Sequence, residues 1–460
     1  VKVAFVASEA VPYAKTGGLA DVIGSLPHHI QKAGIDISVF LPRYKKITSG
    51  KPVHSFNVTL SESSYQVTMI QDGHFFFVDC PQFFERDGLY GTAQGDHPDN
   101  LERFTLFSKA VCTFLRDRDV DIVHCHDWQS GLIPLFLHDQ QSPFKTVFTI
   151  HNLGYQGRFP KEKYRVLGIS PAYFTPDGLE YYGDINCLKA GIVYSDMVTT
   201  VSENYAREIQ TPEMGFGLEG ILQTRGKDLI GIVNGIDYNK WDPGEDRNLS
   251  SPYCNRSGKE ENKHQLLQDC ALCDQRPLIG MVSRIAKQKG FDILIKAFDE
   301  IMSYNVIFII LGLGDEAYQK KLAVYQRLYP KRFFLNLKFD NKLAHRIYAA
   351  SDFFLMPSQY EPCGLGQLIS LRYGTVPIVR YTGGLADTVQ EYDAATGKGN
   401  GFGFRKYTCQ ALTTAIHRAI DVYQDQTAFS RLSEKCMGMN FSWAESAKKY
   451  VKLYEKLISA

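Results

Sequence analysis

The sequence has no surplus of either charge: 51 lysines and arginines meet 50 aspartates and glutamates, for a net charge of +1. Without a basic field the chain as a whole selects neither duplex nucleic acid nor an anionic membrane, so any anion site has to be local. Long hydrophobic runs are missing too. The longest, Val306 to Gly314, falls far short of the roughly 20 residues needed to cross a bilayer. The ten cysteines form no ladder of ligand pairs, and the lone Cys-x-x-Cys, Cys270 to Cys273, reads as two helix cysteines rather than half a zinc site. Cys80, Cys112, Cys125 and Cys187 fall inside apolar segments, where a reduced thiol packs as a small hydrophobe, so a reducing compartment is expected. There is no tandem period, which excludes a solenoid. Residues Val1 to Glu9 read as a buried strand and loop rather than a signal peptide, although the sequence does not begin with Met.

At 460 residues the chain is long enough for two or three domains. Strand, loop and helix alternate from the start: strand Lys2 to Ser8, helix Leu19 to Ala33 ended by Gly34, strand Asp36 to Leu41. Further strands are expected at Asp121–Cys125, Thr146–Ile150, Met197–Val201 and Leu229–Val233. The polar stretch 242–263, broken by Pro243, Gly244, Pro252 and Gly258, reads as a linker. The rhythm then restarts at Leu278–Val282, Val306–Leu311, Phe333–Leu337, Phe353–Met356 and Val376–Val379. Such alternation gives an α/β fold of two doubly wound domains, 1–241 and 242–441, followed by an amphipathic helix within 442–460.

In such sheets ligands sit beyond the carboxyl ends of the strands, where helix N-termini offer amide N–H groups to anions. Two similar segments are expected there: Lys15-Thr16-Gly17-Gly18-Leu19-Ala20-Asp21 and Tyr381-Thr382-Gly383-Gly384-Leu385-Ala386-Asp387. Paired glycines let a backbone approach a phosphate without a Cβ clash, though each pair could equally serve a turn that needs glycine dihedrals. Arg284 and Lys289 lie in a loop after a strand, placed to neutralise a diphosphate or merely to solvate a basic surface. Glu361, held extended by Pro362, could accept from sugar hydroxyls or favour a helix N-terminus. Asp127, Trp128, His151 and Asn152 end strands and suit a polar, aromatic sugar pocket; a metal on His124 and His126 lacks supporting ligands. Asp119 and Asp121 resemble an acidic metal pair but open a strand, at the wrong end of the sheet. Gly312-Leu-Gly-Asp-Glu-Ala317 fits a dinucleotide fingerprint with Asp340 downstream, yet a helix-capping turn explains Asp315 and Glu316 equally well.

Taken together, Lys15–Leu19, His124–Trp128, His151–Gly157, Val233–Asp237, Ser283–Gly290, Glu361–Gln367 and Thr382–Asp387 resemble the bacterial glycogen synthase and plant-type starch synthase family. The resemblance runs from Val1 to about Lys456. It implies two facing Rossmann-like domains (the GT-B fold), an interdomain active-site cleft, and a last helix crossing back to the first domain. It further implies a retaining glucosyltransferase that moves glucose from ADP-glucose to the non-reducing end of an α-1,4-glucan (maltooligosaccharide, amylose, amylopectin or glycogen), without metal or other cofactor. By resemblance Lys15, Gly18, Arg284 and Lys289 hold the donor diphosphate, with Asp21 close by. His151, Asn234 and Glu361 surround the transferred glucose, Asp127 lies in the substrate pocket, Phe339 stacks on adenine, and Thr382, Gly383 and Gly384 approach the donor. Ile369 stands where many retaining relatives carry a second Glu, as in the starch and glycogen branch, and Gly366 stands where bulkier residues are common. With no nucleophile in these motifs, front-face attack is expected, the departing diphosphate oxygen taking the acceptor's proton. The location expected is cytoplasmic, or plastid stroma or starch granule if an upstream transit peptide was removed. The rival readings are a non-catalytic glucan-binding homologue and an NAD-type oxidoreductase.

Overall fold

A computed structural model describes residues 1–272 and 276–459 and separates the chain into two compact units, Val1–Asn234 with Trp443–Ala460, and Gly235–Ser442. The first unit is built on nine strands: β1 (Lys2–Val6), β2 (Asp36–Pro42), β3 (Lys51–Leu60), β4 (Ser63–Asp72), β5 (Phe75–Asp79), β6 (Ile122–His126), β7 (Lys145–Ile150), β8 (Met197–Thr200) and β9 (Leu229–Gly231). Their order is β9-β8-β7-β6-β1-β2-β5-β4-β3. Neighbours from β9 to β5 run parallel, and the central strands are buried, because crossover helices cover both faces. The antiparallel pairing of β5 with β4 and of β4 with β3 was not expected from the sequence. Most residues of β3 face solvent, so this stretch carries no continuous apolar run.

The second unit has six parallel strands, β10 (Leu278–Val282), β11 (Ile307–Leu311), β12 (Phe333–Asn336), β13 (Phe353–Met356), β14 (Val376–Arg380) and β15 (Phe402–Phe404), in the order β12-β11-β10-β13-β14-β15. In each unit the first strand sits where the winding reverses, β1 between β2 and β6, β10 between β11 and β13. That reversal opens a crevice at the carboxyl edge for a ligand.

The final helix, Trp443–Ser459, belongs to the first unit, where Trp443, Tyr450 and Tyr454 are buried in its core. Cys80, Cys112, Cys125 and Cys187 are buried thiols as expected; Cys270 caps a helix, and Cys273 lies outside the described residues. Among the described residues no helix is long and apolar enough to cross a membrane.

Two expectations about the linker need correction. The division falls after Asn234 rather than after residue 241, because Ile236 and Trp241 pack with Tyr253, Tyr348 and Tyr373 in the second unit. The stretch 242–263 is also not free of regular structure, since a helix runs over Arg256–Asp269. Its polar sequence hid it because the face it buries is cationic. Lys259 Nζ donates to the carbonyls of Ala349 (2.6 Å), Tyr348 and Tyr373 (both 3.1 Å) and to Thr375 Oγ1 (2.6 Å), closing the ends of two neighbouring helices. Arg256 and Lys263 flank the buried carboxylate of Asp352 at 2.8 and 2.7 Å, and the Leu278 N–H donates to it at 2.8 Å.

Removing Asp352 takes the counter-ion from buried Lys263 and leaves buried Arg256 only the exposed carboxylate of Glu260, at 2.7 Å. Asp352→Asn is expected to cost about 3–5 kcal/mol in denaturant unfolding. The two cations hold the Asp352 carboxyl below its ordinary value despite burial. Its contribution is therefore complete above the unfolded carboxylate pKa and is lost as pH falls through the lowered folded value, so the gap between wild type and variant should close in acid. A gap that is small at neutral pH, or unchanged in acid, contradicts this account.

Candidate functional site

In the first unit, the loops after β1, β6 and β7 carry the polar residues. Glu9 is buried just beyond β1, and its carboxylate gathers the Thr16 and Gly17 N–H groups, the Thr16 hydroxyl and the Tyr90 hydroxyl. Sequence reasoning passed over Glu9, because its partners include a residue 81 positions away. The consequence is a fixed turn leading into the helix Gly18–Lys32. A Cβ added at Gly17 or Gly18 would meet nothing within 4 Å, and Gly17 has ordinary extended dihedrals (φ −147°, ψ −165°). Nothing in the protein's own packing demands these two glycines, so the open space is available to a ligand. Beside them Lys15 Nζ donates to both oxygens of Asp21, at 2.7 and 2.6 Å.

Asp127 follows β6 with φ +58° and ψ −178°, outside the left-handed helical well and in a region that glycine ordinarily occupies, so the backbone is strained at this residue. Its Oδ1 accepts from the His151 N–H at 2.7 Å, which ties the β6 loop to the β7 loop. Desolvation pushes the Asp127 carboxyl up to about 7 against the pull of the His151 and Asn152 N–H groups. Desolvation also drives His151 down to about 3, so its imidazole is neutral. The His151 ring meets His126 through Nε2···Nδ1 at 3.0 Å. Asn234 is buried, and among the described residues its Oδ1 has no hydrogen-bond partner, as expected of a group that waits for a ligand donor. Trp128, expected in the sugar pocket, is partly buried and packs at the edge of the core against Phe104 and Phe159, under Gly157.

In the second unit, the loops after β10 and β13 are neighbours at the reversal of winding. Lys289, from the first, donates to Glu361 Oε2, from the second, at 2.6 Å; Ser358 Oγ donates to the same oxygen at 2.9 Å. Arg284 stands exposed on the β10 loop. That loop is pinned by the Gly312–Asp315 turn: Ile285 N donates to Leu313 O and Asp315 N to Ile285 O, both at 2.7 Å. A Cβ at Gly312 would lie 2.0 Å from Ser283 O, so this glycine serves close packing rather than a dinucleotide, while Asp315 caps the helix Glu316–Leu328. Phe339, just past β12, is 88% exposed, the most exposed of the large hydrophobic residues.

The second Thr-Gly-Gly copy is physically unlike the first. Gly383 has φ +46°, and a Cβ there would lie 1.9 Å from Glu361 O; at Gly384 it would lie 2.2 Å from Cys363 O. The Gly384 N–H is directed at the carbonyls of Glu361 and Pro362. These glycines let the turn after the buried Thr382 press against the Glu361 loop.

Candidate metal positions are otherwise occupied. His124 is bound by Thr149 (2.6 Å) and Tyr454 (2.7 Å), and Asp119 and Asp121 are both engaged by Lys2 ahead of β6. Among the described residues no three His, Cys, Asp or Glu side chains gather as metal ligands.

Residues 2–224 match a family model described as the starch synthase catalytic domain, and residues 263–435 match that of glycosyl transferases group 1. The chain is 46% identical to a glycogen synthase of Koribacter versatilis, over 99% of this chain and 98% of that protein. A glycogen synthase of Geotalea daltonii is 44% identical over 100% and 99%. The solved catalytic domain of starch synthase IV from Arabidopsis thaliana, bound to ADP and acarbose, matches with a TM-score of 0.90 at 33% identity, covering 100% of this chain and 99% of that one. Sucrose-phosphate synthase from Thermosynechococcus elongatus, 18% identical with a TM-score of 0.64 over 100% and 99% of the two chains, shares the fold.

The contrast between the two glycine pairs is open to measurement. Gly18→Ala should leave unfolding free energy within about 0.5 kcal/mol of wild type, as an added methyl meets no atom. Gly384→Ala should cost about 1–3 kcal/mol, because backbone has to move. Equal effects in denaturant melts would refute the distinction.

Proposed function

Because the chain belongs to the glycogen and starch synthase family, it is a glucosyltransferase, and we propose that it transfers glucose from ADP-glucose, with retention, to the 4-hydroxyl at the non-reducing end of an α-1,4-glucan. One observation carries the donor assignment. Along the carboxyl edge of the second sheet, Phe339 follows β12, Arg284 and Lys289 follow β10, and Glu361 follows β13. That is an aromatic platform, then two cations, then a carboxylate, spread over three strand spacings or about 14 Å. The parts of a nucleotide sugar come in the same order: base, diphosphate, glucose.

Arg284 and Lys289 stabilise the charge that develops on the departing diphosphate, whose oxygen takes the proton of the attacking 4-hydroxyl. Glu361, already neutralised by Lys289, accepts hydrogen bonds from the sugar rather than attacking it. In the first unit Lys15 and the bare Gly18 serve phosphate, Asp21 holds Lys15 ready, and His151, Asp127 and Asn234 meet the sugar. Fixed cations take the place of a metal ion, so none is required. The glycogen synthases among the relatives favour glycogen as the polymer. The structure of the Arabidopsis relative with ADP and acarbose favours an adenine donor.

Incubation with radiolabelled ADP-glucose or UDP-glucose and glycogen or maltooligosaccharide, with label counted in polymer, tests this reading. Label is expected chiefly from ADP-glucose, with or without EDTA. No incorporation from either donor rejects the function, equal or better use of UDP-glucose rejects the donor, and metal-reversible loss in EDTA rejects the role of the fixed cations.

Arg284→Ala should lower turnover about 100- to 1,000-fold, roughly 3–4 kcal/mol, with glucan affinity and melting temperature little changed. Lys289→Ala should lower turnover similarly but also lower the melting temperature, because it strands the buried Glu361 carboxylate. Near-normal turnover in Arg284→Ala would remove the catalytic assignment.

A further inference from the structure

We propose that His126 is a positioning residue that fixes the tautomer of His151, holding its proton on Nδ1 so that the ring meets the substrate as a hydrogen-bond donor and not as a base. The inference rests on the assignment of His151 to the transferred sugar, and it deepens that assignment.

His126 is fully buried on β6, its ring stacked on His124 (centroids 4.2 Å apart) and on Phe5 (5.1 Å). Among the described residues its one side-chain hydrogen bond joins Nδ1 to His151 Nε2 at 3.0 Å, and its Nε2 is buried with no partner. His124 offers it none, since both nitrogens of His124 are bound by Thr149 and Tyr454. Burial pushes all three imidazoles down, so each carries a single proton.

Two arrangements satisfy the bond between two neutral rings. If His151 Nε2–H donates, His126 accepts through Nδ1, and its only proton sits on Nε2 as a buried N–H with no acceptor. If His126 Nδ1–H donates, what remains on Nε2 is an unused lone pair. Orphaned buried N–H groups are rarer in folded proteins than under-used acceptors, so the second arrangement is favoured. His151 then accepts through Nε2, and its single proton is on Nδ1. With the Asp127 carboxylate gripping its backbone N–H, both the position and the proton of His151 are set before substrate arrives.

The test is the full chain labelled with 15N-histidine, read by long-range proton–nitrogen correlation of the imidazoles, with His151 assigned by its loss in His151→Ala. The expected spectrum shows His151 Nε2 unprotonated and Nδ1 protonated. A protonated Nε2, or an even mixture, overturns the proposal. His126→Asn places an amide N–H where Nδ1 was and should keep the His151 pattern, whereas His126→Leu should release it to the Nε2–H form. Turnover in the Leu variant should fall about tenfold, as for one hydrogen bond to substrate, with the Asn variant recovering most of it. Should the Leu variant fail to fold, the wild-type and Asn spectra still decide. An unprotonated Nε2 in a chain that transfers no glucose would leave the tautomer standing and reject the function, so the two failures are separable.

Discussion

The ion pair between Lys289 and Glu361 organises the second unit's site. It joins the loops after β10 and β13, the two strands between which the winding reverses, and so turns a topological crevice into a fixed arrangement of groups. Glu361 is nearly buried, and a carboxylate there is tolerable only because Lys289 and Ser358 meet the same oxygen. The surrounding glycines follow from this requirement. Gly290 turns with φ +81° against Pro357 O, and Gly383 turns with φ +46° against Glu361 O, positions where a Cβ would force the loops apart.

The first unit solves the same problem with a buried acceptor. Glu9 uses both carboxylate oxygens to hold the Thr16–Gly17 turn, leaving Lys15 to pair with Asp21 at the open rim. In each unit a lysine assigned to phosphate is already matched with a carboxylate. Such pairing limits the entropy that a long side chain loses on meeting its ligand, and it places the cation where charge will arrive.

Much of this was legible in the sequence. Apolar runs marked the buried parallel strands, because a strand covered on both faces has no polar alternation to blur it. Motif residues at the strand ends fell at the carboxyl edges, as for Lys15, His151, Arg284, Lys289 and Glu361. What escaped was whatever depended on distant partners or on a cationic buried face: Glu9 with Tyr90, the solvent-facing strand β3, and the helix Arg256–Asp269, which looked like linker until Asp352 and the carbonyls around Lys259 supplied its reason. The repeated Thr-Gly-Gly-Leu-Ala-Asp is the sharpest case. Identical letters suggested one role, yet the first pair opens on empty space and the second is filled by its neighbouring loop. Sequence reports that glycine is needed; only the surroundings say whether a ligand or the protein needs it.

The surroundings of His151 and of Glu361 differ in how they treat charge. Around His151 desolvation moves both kinds of group toward neutrality, Asp127 up to about 7 and the imidazole down to about 3. Around Glu361 the arrangement is instead an ion pair, Lys289 Nζ lying 2.6 Å from Oε2. A neutral, hydrogen-bonding environment suits a sugar, whose hydroxyls need donors and acceptors of fixed direction but carry no net charge. A leaving diphosphate gains charge as its bond breaks, and cations that are already oriented stabilise it without reorganising. Desolvating Arg284 or Lys289 as His151 is desolvated would raise the cost of keeping them charged, and solvating His151 would return it to the range where it titrates. The neutral surroundings of His151 and the paired lysines Lys15 and Lys289 therefore match what a sugar and a departing diphosphate each require.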